Sequence, residues 1–131
     1  MMFIKILQIS QFVIYSIAII YFSNQPQAPN IVNIFWGFDK ILHLSAYLLY
    51  YISSIFFING INKSLIKSKL EIYSILLSAL FAISDEFHQY FIPGRSAEFG
   101  DILADIIGIL LGFTICRFFI LKLPLFETGK R

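Results

Sequence analysis

Charge and cysteine are both scarce in this 131-residue chain. The single cysteine, Cys116, excludes a disulfide framework within the chain and leaves the redox compartment open. Asp, Glu, Lys and Arg together make up only 14% of the residues, too little to cover the surface of a soluble domain. The basic residues are scattered and build no basic, aromatic-interleaved face, so nucleic acid is not an expected partner. Several chemistries also lack their signatures. There is no HExxH, no P-loop and no serine elbow, and neither an internal repeat nor a low-complexity tract stands out.

Apolar residues fill the space. At 58% apolar with abundant phenylalanine, the composition is that of a multi-spanning membrane protein, and the length allows one domain, residues 1–131. Four apolar stretches, 4–22, 41–58, 70–92 and 102–121, are each about 27–35 Å long as helix, enough to cross a bilayer. Breaks fall at Asn24–Asn30, Asn59–Lys63 and Pro93-Gly94. The expected fold is therefore all-α, a four-transmembrane-helix bundle, with the lipid bilayer as its first partner. A cleaved signal peptide is the rival reading of the first stretch. Its apolar run is too long, and no small-residue cleavage site follows.

Lysine and arginine set the expected orientation. Lys63, Lys67 and Lys69 in the middle connection, and Lys122, Lys130 and Arg131 in the tail, share one face with Lys5 and Arg117. That face is expected to be cytoplasmic, with both termini. Six of the eight acids, Asp39, Asp85, Glu86, Glu98, Asp101 and Asp105, gather at the opposite end with only Lys40 and Arg95 as cations.

Helical spacing draws these residues together. Asp39, His43 and Tyr47 recur every four residues, Asp85 and His88 are three apart, and so are Glu86 and Gln89. Asp101, Asp105, Gly108 and Gly112 form one stripe on the fourth helix. Its glycines suit close helix contact, within the chain or in a homo-oligomer. Carboxylates facing lipid cost about 2.5–3.5 kcal/mol each, so the stripe is expected to face inward. The inner halves of the helices read as almost uniformly apolar, which disfavours a transport pathway.

Simpler roles compete at each position. Asp39 and Asp101 precede apolar helices, where acids cap free N–H groups. Lys40 could snorkel to head groups, and His43 could be a neutral interior residue. Gln89 could be an ordinary interior hydrogen-bonder, and the acids could form an ion-pair network with Arg95 and Lys40. On the chemical reading Glu86, with His43 or His88, is the candidate general base, and Asp85 and Asp101 are further catalytic candidates. Arg95 and Lys40 would hold an anion. Asp39, Gln89, His88, Asp105 and Tyr47 would complete the binding surface. Ser84 and Ser96 lie nearby without further support. A divalent metal on His43, Glu86, His88 and Asp101 is conceivable, but the spacing is not that of HExxH, and neither metal nor other cofactor is expected.

The run Asp39-Lys40-x-x-His43-x-x-x-Tyr47, then Asp85-Glu86-x-x-Gln89-x-x-x-Pro93-Gly94-Arg95, then Asp101-x-x-x-Asp105-x-x-Gly108, resembles the VanZ-like membrane proteins. The polar Ser23-Asn24-Gln25-Pro26 segment is similar to that family's as well, and the resemblance covers about residues 4–121. This chain has Asp105 where the family often has Asn. The resemblance implies a bacterial cytoplasmic-membrane protein whose name-giving relative is linked to teicoplanin resistance. It implies a fold and a location rather than a reaction. The expected function is binding or modification of an anionic envelope amphiphile, lipid or lipid-linked, at the extracytoplasmic face. The alternatives are a shielding or structural protein and, last, a small transporter.

Overall fold

A computed structural model describes residues 2–26, 37–95 and 98–126. Within them lie four long helices: α1 (Met2–Ser23), α2 (Phe38–Ile61), α3 (Lys67–Gln89) and α4 (Phe99–Phe118). Two 3₁₀ turns follow, Ile120–Lys122 and Pro124–Phe126, and no strand occurs among the described residues. Residues 27–36, Ser96, Lys130 and Arg131 lie outside the described residues.

The helices begin or end a few residues away from the apolar runs, and at the starts of α2 and α3 charged residues account for the offset. The second run excludes Asp39 and Lys40, yet both belong to the first turn of α2. An acid there meets the positive end of the helix dipole. The turn before α2 is made by Gly37, whose φ of 85° is a left-handed conformation that glycine adopts without strain. α3 starts at Lys67 and stops at Gln89, so Tyr90–Ile92, read as helix from apolarity, turn back toward Arg95.

α1, α2 and the stretch Phe99–Lys122 are long and apolar enough to cross a membrane. α3 is as long but bears Lys67, Lys69 and Glu71 at one end and Asp85 and Glu86 at the other. The bundle is turned inside out relative to a soluble protein. Leu80, Ile83 and Phe87 on α3 are at least 60% exposed, while Ser74 and Ser78 on the same helix are fully buried. On α4, Leu103, Ile106, Ile107 and Leu110 face outward while Asp101, Asp105, Gly108 and Gly112 face in. That distribution is favourable only where lipid replaces water around the helices. The protein is a multi-pass membrane protein.

α2 contacts each of the other helices and packs most extensively on α4. The glycine stripe explains that closeness. A Cβ on Gly108 would sit 2.3 Å from the Leu44 carbonyl oxygen, and one on Gly112 would sit 2.8 Å from that of Leu48. The stripe thus serves a contact within the chain. Rings fill the centre, with Phe12 stacked on Phe57 at 4.2 Å and Tyr50 on Phe81 at 4.4 Å.

The half of the bundle away from the acid cluster is not uniformly apolar inside, contrary to the sequence reading. Gln8, Asn59, Glu71, Ser74 and Ser78 are buried there. Gln11 and Ser53 pair reciprocally: Gln11 Nε2 donates to the Ser53 carbonyl at 3.1 Å, and Ser53 Oγ donates to Gln11 Oε1 at 2.6 Å. These small polar residues are spread thinly among leucines and isoleucines, so average apolarity hides them. Their helical spacing, as in Ser74, Ser78, Ala82, Asp85 and Gln89, places them on one inward stripe.

Candidate functional site

Four helix ends meet at the site: the C-termini of α1 and α3 and the N-termini of α2 and α4. The outermost group is built on Lys40. Its ammonium donates to Asp39 Oδ2 at 3.0 Å, Glu98 Oε2 at 3.0 Å and Asp101 Oδ1 at 2.9 Å. An ammonium has three donors, and all three are committed within the chain. Asp101 is simultaneously part of the α4 cap. Its Oδ2 accepts the Glu98 N–H at 3.3 Å while the Glu98 side chain accepts from the Asp101 N–H, a capping box. The capping and ion-pair roles considered for Asp101 are therefore filled by the same side chain.

One turn deeper, His43 faces two carboxylates. Its Nδ1 lies 3.0 Å from Asp105 Oδ1 and 3.4 Å from Glu86 Oε1. Three helices supply this group: α2, α4 and α3. The Asp105 side chain is 0% exposed and that of Glu86 5%. Only one hydrogen bond can be well formed from Nδ1, and the shorter contact takes it. Both Glu86 oxygens and Asp105 Oδ2 are buried without a hydrogen-bond partner among the described residues.

A third group shares the same depth. Asp85 Oδ2 accepts the Tyr47 hydroxyl at 3.2 Å and Gln89 Nε2 at 3.0 Å. Gln89 Nε2 also reaches Ser23 Oγ at 3.4 Å, which ties α3 to the end of α1. The adjacent acids Asp85 and Glu86 thus have separate surroundings. Their side chains diverge by about 100° on the helix, one toward Tyr47 and the other toward His43.

Beside these groups lies a cavity of about 610 Å³, walled mainly by apolar side chains such as Ile19, Phe22, Phe38 and Leu42. Its polar wall is formed by Asp39, His43, Tyr47, Asp85, Gln89 and Arg95. Arg95 is positioned by the turn after α3, where its N–H bonds to Ile92 and Gly94 takes a φ of 81°. Arg95 Nη1 donates to the Phe22 carbonyl at 2.8 Å, so the guanidinium is anchored to the end of α1 and keeps further N–H groups. A largely apolar chamber lined by one arginine and several hydrogen-bonding groups suits a molecule with a polar head and an apolar body.

The structure thus brings together most residues singled out from sequence. Asp39, Lys40 and Asp101 form one group; His43, Glu86 and Asp105 a second; Tyr47, Asp85 and Gln89 a third; Arg95 lines the cavity beside them. His88 stands apart. It is exposed, with Nε2 3.0 Å from Asn24 Oδ1, and it meets neither Glu86 nor His43. Ser84 is also exposed and its hydroxyl bonds back to Leu80. The metal set His43, Glu86, His88 and Asp101 is not assembled; the donors that converge are His43, Glu86 and Asp105. Asp39, Glu98 and Asp101 also converge, but on Lys40. Glu98 and Ser23 were not picked out as site residues. For Glu98 the signal was its place three residues before Asp101, the capping-box spacing.

The VanZ/LLP1 family model matches residues 3–121, which include the four helices but for Met2 and every residue of the three groups. No curated protein and no solved structure matches the chain. With nearly its whole length covered, the chain belongs to the VanZ/LLP1 family.

Proposed function

We propose that this is a bacterial cytoplasmic-membrane protein that binds, or binds and modifies, an anionic amphiphile of the cell envelope at its extracytoplasmic face. The cavity carries this reading: apolar walls open beside Arg95 and a dense hydrogen-bonding surface. In the proposed complex the acyl or prenyl portion lies against Phe22, Phe38 and Leu42. The phosphate or carboxylate meets the free N–H groups of Arg95, whose planar donors match such groups bidentately. Lys40 contributes indirectly, because its three donors already neutralise acids at the rim. If a bond in the ligand is broken, His43 is the proton-handling group that lines the cavity, with Glu86 behind it at 3.4 Å. The lysines of the opposite end support the orientation.

A structural reading competes on one observation. The Lys40 cage and the His43–Asp105 contact join α2 to α4 without any ligand. The experiment uses the full chain in lipid nanodiscs with a short polyprenyl monophosphate and, separately, the matching polyprenyl alcohol. The expected result is retention of the phosphate over the alcohol, lost in Arg95→Ala while insertion and melting are unchanged. Conversion of the phosphate would make the protein an enzyme, and retention alone a binder. Equal retention of phosphate and alcohol would leave the structural reading. A change in teicoplanin tolerance in cells carrying Arg95→Ala would connect the site to the phenotype linked to the family.

A further inference from the structure

We propose that His43, Glu86 and Asp105 form a binding site for one first-row divalent transition-type cation such as zinc or manganese. The donor atoms come from α2, α3 and α4 and all lie within 4.8 Å of one another. Metal–ligand bonds of about 2.1 Å place neighbouring donors roughly 3.0 Å apart in an octahedron and 3.4 Å apart in a tetrahedron. The observed separations from His43 Nδ1 are 3.0 Å to Asp105 and 3.4 Å to Glu86. Both distances from the imidazole match those around a shared ion, and the Glu86 and Asp105 oxygens lie within 4.8 Å of each other.

Two further observations point to a ligand rather than to a closed polar network. First, three carboxylate oxygens, both of Glu86 and Oδ2 of Asp105, are buried with no hydrogen-bond partner among the described residues. A buried carboxylate left unmatched is expensive, and a cation supplies the missing contacts. Second, the local charge does not balance. Two carboxylates face one imidazole, which carries at most one positive charge, and the nearest lysine is spent on Asp39, Glu98 and Asp101. A divalent ion with a neutral imidazole closes the balance. One nitrogen and two carboxylates, without sulfur, suit zinc or manganese better than calcium or copper(I).

This goes beyond the amphiphile reading: of the three donors only His43 lines the cavity, and the ion needs no occupant there. The test takes the full chain, purified in detergent through a tag without histidine, stripped with chelator, and titrated with zinc chloride or manganese chloride alone. About one equivalent of one ion should bind and raise the unfolding midpoint. Glu86→Gln and Asp105→Asn should each weaken binding at least about tenfold, while His88→Ala should leave it unchanged. X-ray absorption of the loaded wild-type protein should show one imidazole and oxygen donors, a readout that does not depend on any variant folding. Absence of saturable binding of either ion to the wild type, a shell without imidazole, or undiminished binding in a folded Asp105→Asn protein would each overturn the proposal. No lipid-linked probe is present, so failure here leaves the retention experiment to decide the amphiphile reading by itself.

Discussion

Gly108 lies so close under Leu44 that the two helix backbones, rather than side chains, make the contact: a Cβ at 108 would stand 2.3 Å from the Leu44 carbonyl oxygen. That approach holds Asp105, one turn earlier on α4, opposite His43, one residue before Leu44 on α2. Spacing between these helices and geometry of the buried polar group are therefore one quantity.

Gly108→Ala should force α2 and α4 apart and cost about 1–3 kcal/mol, the range for overpacking a tight contact. Gly100→Ala should cost less, although its Cβ would come 2.7 Å from Lys40 Cε, because that neighbour is a flexible side chain and not backbone. Unfolding of both variants in mixed micelles gives the comparison. Equal stability of the two would mean that the helices are not held at the observed distance.

Replacing Lys40 by methionine should be strongly destabilising, about 3 kcal/mol, since it strands the buried Asp101 carboxylate without its charged partner. Adding Asp101→Asn should recover part of the loss by removing the stranded charge. A neutral change at the more exposed Asp39 should recover less. Melting temperatures of the singles and the two doubles separate these outcomes.

Tyr47→Phe removes one of the two donors to Asp85 and should cost about 1.5–3 kcal/mol, the range for a hydrogen bond to a charged group. In an Asp85→Asn background the same substitution should cost clearly less. Additive losses would show that the hydroxyl does not serve the carboxylate.

His88→Ala should change stability by no more than about 0.5 kcal/mol, as expected for an exposed side chain whose contact with Asn24 is itself exposed. A large loss would place His88 in the interior group where its spacing from Asp85 first suggested it.

The helices, the convergence of acids from separate spans and the role of the glycines were legible in the sequence, because apolar length and spacings of three and four residues carry that information. Partner choice was not. Spacing puts His88 within a turn of both Asp85 and Glu86, yet it falls on the outward side, and only the direction in which α3 faces its neighbours decides this. Asp101 and Asp105 share a stripe and read alike. One closes on Lys40 and the α4 cap, while the other meets His43, because they lie one turn apart in depth. The buried Gln8, Ser74 and Asn59 were missed for a different reason: small polar residues among leucines barely lower the apolarity of a span.

His43 and Asp105, from different helices, share one buried polar group. A double-mutant cycle on His43→Ala and Asp105→Ala, read by reversible unfolding in bicelles, tests it most directly. The expected coupling is about 0.5–3 kcal/mol, as for residues in contact, with none between His88→Ala and Asp105→Ala. Losses for the His43 and Asp105 pair that simply add, within about 0.3–0.5 kcal/mol, would contradict it.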